Sequence, residues 1–216
     1  MLKNLTTTVL ATVVVLTVAP AAFAADTPST TATTPTAAAV PAVTAADRVL
    51  GRADAPVTVI EYASFTCSHC AAWTNEVLPD FKARYIDTGK VRLVFRDLPT
   101  QPVQAAATAA AIGRCAAPDK FFDVARHFMA GQAAAFASGD ARNWYMDAIS
   151  VSGRTEAQID ACLSNPATGQ TLQADIEAAI AAGVNGTPTF FVNGHRAGDH
   201  SLETLSAAID PLLKGR

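Results

Sequence analysis

The chain has 216 residues, half of them apolar and 16% charged, which is the make-up of one sizeable globular domain and not of a disordered chain. A formal net charge of -3, with no cluster of Lys or Arg anywhere, excludes the electrostatic footprint of a nucleic-acid or anionic-membrane binder. Four cysteines are too few for a disulfide-dense miniature scaffold.

The first predicted element is a leader. Met1-Leu2-Lys3, an apolar run from Leu5 to Val18 diluted by threonines, and Ala22-Phe23-Ala24 give a basic start, a stretch too short for a comfortable membrane span, and a small-x-small cleavage site. These features predict a secretory signal peptide over residues 1–24 and hence export to a compartment that permits disulfides. Residues 25–48 are rich in Ala, Thr and Pro, with no aromatic residue and no apolar periodicity. Such a segment cannot bury enough surface to offset its ordering entropy, so a disordered linker is predicted there.

Order is predicted from Val49. Asp54-Ala55-Pro56 is a turn, and Val57 to Ala63, apolar nearly throughout, is a strand covered on both faces. Trp73, Val77, Phe81 and Tyr85 recur at four-residue spacing and predict a helix after Cys70, kinked at Pro79. Val91 to Arg96 is the next strand, so a right-handed crossover should make the two strands parallel. From Gln104 to Ala182 only helices are predicted: 104–117, 119–129, 143–150, one opened by Thr155 and Gln158 as a capping box, and 168–182. Gly183 to Pro188 then leads into Thr189-Phe190-Phe191-Val192, and Asn193-Gly194 predicts a hairpin to His195-Arg196-Ala197. Leu202, Leu205, Ile209 and Leu212 mark a closing helix. The fold class is therefore α/β: β-α-β over residues 49–100, a helical insertion over residues 101–182, and β-β-α over residues 183–216.

The chemistry centres on Cys67-Ser68-His69-Cys70. A Cys-x-x-Cys pair alone is open to three readings: redox dithiol, structural disulfide, or half of a zinc site. Here it lies between a buried strand and the start of a helix, where the Cys67 sulfur meets free backbone N–H groups and the positive end of the helix dipole. His69 adds a second group beside that sulfur. A stabilised Cys67 thiolate makes the disulfide the stronger oxidant and Cys67 the better leaving group, which points to an oxidase.

Glu61, six residues before Cys67, with Phe65, the Cys67–Cys70 motif, Thr187-Pro188 and the helical insertion, resembles the DsbA-like branch of the thioredoxin superfamily from Val49 to Leu213. The resemblance implies a thioredoxin fold with an inserted helical domain and a periplasmic, monomeric protein-disulfide oxidoreductase with no bound cofactor or metal. Its implied partners are exported proteins with cysteines and a DsbB-like membrane reoxidase. Pro188 then corresponds to the cis-proline facing the redox pair, with the Thr187 backbone open to a substrate segment, and Glu61 to a buried carboxylate relaying protons near Cys70. Ser68 stands where the family commonly has proline. Thr187 stands where its best-known oxidases have valine and is shared with isomerase-type relatives, so isomerase or reductase is the alternative; a thiol-based Cu or Zn protein is the alternative of another class.

Cys115 and Cys162 both fall in the helical insertion and are candidates for a structural disulfide, against two buried free thiols. His195 and His200, more than a hundred residues from the redox pair, are expected as loop histidines, and His127 as a helix-surface one.

Overall fold

The computed structural model describes residues 39–214, so the signal peptide and the first part of the linker lie outside the described residues. At its centre is a five-stranded sheet of order β1-β3-β2-β4-β5: Arg48–Leu50, Val57–Ala63, Val91–Asp97, Thr189–Val192 and His195–Arg196 in chain order. β2 and β3 pair in parallel from Val57 opposite Val91 to Ala63 opposite Asp97; every other pairing is antiparallel. The parallel pair follows from the intervening crossover helix, which returns the chain to the same edge.

Alternation along β2 sends Val57 and Val59 to one face and Ile60 and Tyr62 to the other, and both faces are covered. On the first face lies α1, residues 68–86, whose Trp73, Phe81 and Tyr85 are buried against β2, Leu93, Phe190 and the closing helix, residues Leu202–Lys214. α1 is not uniform. It is α-helical at Ser68–Ala72 and Leu78–Phe81 and widens into π turns at Trp73–Val77 and Lys82–Ile86. Pro79, with no N–H to donate, follows the first wide turn, where the Leu78 N–H reaches back five residues to the Trp73 carbonyl.

Between β3 and β4 stand α2 (Val103–Cys115), α3 (Phe121–Ser138), α4 (Arg142–Ser150), α5 (Glu156–Leu163) and α6 (Pro166–Ala181). They enclose a core of their own around Phe121, Phe128, Trp144 and Ile159, which is continuous with Phe65 and Phe95 of the sheet side. The Thr155–Gln158 capping box forms reciprocally at the start of α5. α3 runs nine residues beyond the predicted end at Met129. Gly131 does not break it: a Cβ there would lie 3.0 Å from the Trp144 ring, so this glycine serves close helix packing, and the helix stops at Gly139 with φ of 70°. The closing helix is numbered α7. At the β4–β5 hairpin Asn193 and Gly194 take φ of 46° and 85°, the left-handed pair a tight two-residue turn requires.

The predicted linker extends too far. Val40 and Val43 pack on the sheet face formed by Ile60, Tyr62 and Val94, and Arg48–Leu50 adds an antiparallel edge strand to β3. Composition misjudged this segment because the partner that orders it lies elsewhere in the chain. Arg96 on β3 donates to the Pro41 and Ala42 carbonyls and pairs with Asp47 at 2.8 Å, so the backbone of a Pro- and Ala-rich stretch is satisfied by a strand side chain.

Cys115 at the end of α2 is bonded to Cys162 in α5, with their Cα atoms 5.8 Å apart. The bond closes a loop of 47 residues, which in the chain-entropy model contributes about 4 kcal/mol before strain. The double variant C115A/C162A is expected to lose stability of that order in denaturant unfolding while the Cys67–Cys70 pair still exchanges; an unchanged unfolding midpoint would contradict the assignment.

Candidate active site

The loop between β2 and α1 positions the redox pair. Cys67 is the N-cap of α1, extended at φ -84° and ψ 117°, and its Sγ accepts the Cys70 N–H at 3.3 Å. That is the capping geometry in which a side-chain acceptor meets the free N–H groups of a first turn, here with sulfur in place of oxygen. On the other side the Cys67 thiol donates to the Thr187 carbonyl at 3.3 Å, which brings the 187–188 segment against the pair. The Thr187–Pro188 peptide is cis.

The two thiols are free and sit in opposite environments. Cys67 is half-buried and Cys70 fully buried. The Cys70 thiol, then the Thr187 hydroxyl and the Cys70 and His69 backbone N–H groups, pull the Cys67 pKa down to about 5 against the opposing effect of its partial burial. The Thr187 hydroxyl is buried and without a partner while Cys67 is a thiol bonded to the Thr187 carbonyl, so its stabilising hydrogen bond is one that the ionised sulfur accepts. Burial pushes the Cys70 thiol far up, reinforced by its hydrogen bond to Cys67 and by the Glu61 carboxylate. The pair is therefore asymmetric at neutral pH, one sulfur a thiolate and the other a thiol.

Glu61 lies in β2 between Phe95 and Phe190, 2% exposed, with Oε1 lacking any hydrogen-bond partner. Burial, and secondarily the charge on Cys67, raises its pKa to about 8. A carboxyl that stays protonated at pH 7 is available to give or take a proton beneath the pair.

His69 reaches the Cys67 sulfur through its backbone N–H, while its ring is exposed and lies 6.3 Å, centroid to centroid, from the ring of His200. His200, expected as a loop histidine apart from the cysteines, is thus a neighbour of the motif. Distance along the chain misled here, because the turn after β5 folds residues 197–200 back beside Pro188. His195 is exposed in β5 and His127 exposed on α3. Among the described residues no group of three or more His, Cys, Asp or Glu is placed to hold a metal ion.

Sequence reasoning missed Gln132. From α3 of the insertion it donates to the Phe65 carbonyl at 2.7 Å and the Cys67 carbonyl at 3.1 Å, and it is 3% exposed. The available signal was its place on the apolar stripe of α3, with Val124, Ala125, Phe128, Met129 and Ala135, where a polar residue needs an explanation. The same loop is tied on its other side by Ser64 and Thr66, whose hydroxyls meet at 3.0 Å and bond the Thr100 backbone.

Residues 43–211 match the protein family described as Thioredoxin, most of the chain and all of the site. The chain belongs to the thioredoxin family. A protein of Rickettsia conorii that bears the provisional name of protein-disulfide oxidoreductase is 33% identical over 170 residues, covering 78% of this chain and 61% of that one. The chain thus spans about three fifths of the length of that curated relative. The crystal structure of Wolbachia pipientis alpha-DsbA1 superposes with a TM-score of 0.72 at 24% identity, covering 80% of this chain and 94% of that one. That of a protein-disulfide isomerase from Novosphingobium aromaticivorans gives a TM-score of 0.64 at 26% identity, covering 77% and 97%. The fold is thus the DsbA-like thioredoxin fold with its helical insertion.

Proposed function

We propose that this chain is a protein-disulfide oxidoreductase that oxidises cysteine pairs of exported proteins. The observation that carries the reading is the asymmetry of the pair: Cys67 caps α1, half-buried, with its Sγ on the Cys70 N–H, while Cys70 is buried, an arrangement that lowers the Cys67 pKa and raises that of Cys70. A sulfur stabilised as thiolate is a good leaving group, and a disulfide whose reduced form is stabilised is a strong oxidant.

In the reaction a substrate thiolate attacks Cys67 Sγ of the Cys67–Cys70 disulfide, forming a mixed disulfide and breaking the internal bond. The Cys70 sulfur leaves with the electron pair and takes up a proton, for which protonated Glu61 is the nearby donor. The substrate's second thiolate then attacks the substrate sulfur of the mixed disulfide, and Cys67 leaves as a thiolate. The substrate dithiol is oxidised and the Cys67–Cys70 pair reduced. A DsbB-like membrane reoxidase would take the electrons onward. The signal peptide predicted over residues 1–24 supports export to the periplasm, and residues 187–188 are the proposed substrate-facing segment.

Isomerase is the second reading, favoured by Thr187 and by the isomerase relative. A side-by-side assay separates them. The oxidised protein should convert a reduced, unfolded two-cysteine test protein to its disulfide form stoichiometrically; repair of a scrambled protein without net oxidation would establish the isomerase, and stoichiometric Cu or Zn binding without turnover would overturn both.

A further inference from the structure

Gln132 belongs to the inserted helices, yet among the described residues its side-chain hydrogen bonds are all to the loop that carries the redox pair. Both amide hydrogens are used, one on the Phe65 carbonyl and one on the Cys67 carbonyl. These carbonyls flank Thr66, immediately before the first turn of α1. Without Gln132 the buried Phe65 carbonyl would have no partner among the described residues, a situation a loop relieves by rotating its peptides, and the Cys67 carbonyl would keep only the Ala71 N–H at 3.0 Å. Rotation of the Phe65–Thr66 peptide, with the second hold on the Cys67 carbonyl gone, shifts the Cys67 backbone and with it the direction in which Sγ faces the Cys70 N–H. The core contacts of the same helix, through Phe128 and Met129 to Phe65 and Ala71, keep the Gln132 amide at a fixed height above the loop.

We propose that Gln132 is a positioning residue for the redox pair: by clamping the Phe65 and Cys67 carbonyls it holds the Cys67 sulfur on the N–H groups of α1, so that the helical insertion sets the nucleophile's geometry. This deepens the oxidoreductase reading and rests on it for its consequence. The amide is the chemically suitable group, since two carbonyls need two donors and a carboxylate, hydroxyl or thioether at this place supplies fewer.

The test is the titration of the Cys67 thiolate, followed by ultraviolet absorbance of the reduced protein against pH, in Gln132→Met and in Trp144→Phe. Met keeps the length of the side chain and removes both donors. Trp144→Phe removes one buried hydrogen bond of the same helical core, Nε1 to the Phe128 carbonyl at 2.8 Å, and no hydrogen bond to the active-site loop. The Cys67 midpoint should rise by about one pH unit in Gln132→Met, a tenfold loss of thiolate stabilisation, and stay at the parent value in Trp144→Phe even though both variants unfold at lower denaturant. Equal midpoints in Gln132→Met and parent, or an equal rise in Trp144→Phe, would overturn the proposal. Failure of the oxidoreductase reading shows separately, as a parent protein with a low Cys67 midpoint and no oxidation of the test protein.

Discussion

Replacing Cys70 with Ser is expected to abolish net dithiol oxidation and to leave the protein covalently joined to its substrates through Cys67. The half-buried Cys67 still reacts with a disulfide, because its thiolate is stabilised by the α1 N–H groups and Thr187, although the Cys70 thiol's own contribution is lost. No internal sulfur then remains to displace the substrate, so a mixed disulfide formed by Cys67 attack on a substrate disulfide persists wherever the substrate's own second thiol does not return to it. The product to look for is a reductant-sensitive band of higher mass on non-reducing gels, absent in Cys67→Ser, which loses the sulfur that attacks. Oxidation of the test protein should fall to background in both variants. Equal trapping through either cysteine would contradict the assignment of the exposed and internal sulfurs.

The placement of the two sulfurs was legible in the sequence because it is local. A Cys-x-x-Cys at a strand-to-helix junction specifies which sulfur caps the helix, just as Asn193-Gly194 specifies its hairpin and Thr155 with Gln158 its capping box. All three depend on residues within a few positions of one another. What escaped the sequence depends on distant partners. Residues 40–47 look unable to fold until Arg96 supplies donors for their carbonyls. Gln132 is one polar residue in an Ala-rich helix until α3 crosses the active-site loop. His200 is remote from His69 in number and close to it in space. The positions of helices inside the insertion were legible and their ends less so, since Gly131 marks a packing contact and Gly139 a true stop, a distinction made by Trp144.

Glu61 supports the second large prediction, because its protonation is linked to stability. Its pKa of about 8 in the folded protein lies above the ordinary value of 4.5. Between those values the folded state binds more protons than the unfolded one, so the stabilising effect of the neutral carboxyl is complete below pH 4.5 and is lost as pH rises towards 8. At 1.36 kcal/mol per unit the loss by pH 7 is about 3 kcal/mol. Glu61→Gln, which cannot ionise, should therefore exceed the parent in unfolding free energy by that order at pH 7 and approach it at pH 4. The excess should shrink in the oxidised protein, which has no Cys67 thiolate to oppose ionisation of Glu61. The variant should also pay for its stability in turnover. Cys70 must gain a proton when the disulfide opens and lose it when the disulfide re-forms, and a glutamine neither gives nor takes one. Slower exchange at the Cys70 step is expected, with the Cys67 midpoint left near 5, because Glu61 is still protonated where Cys67 titrates. A pH-independent stability difference between parent and variant would place the carboxyl in contact with water and remove its part in the proton transfer.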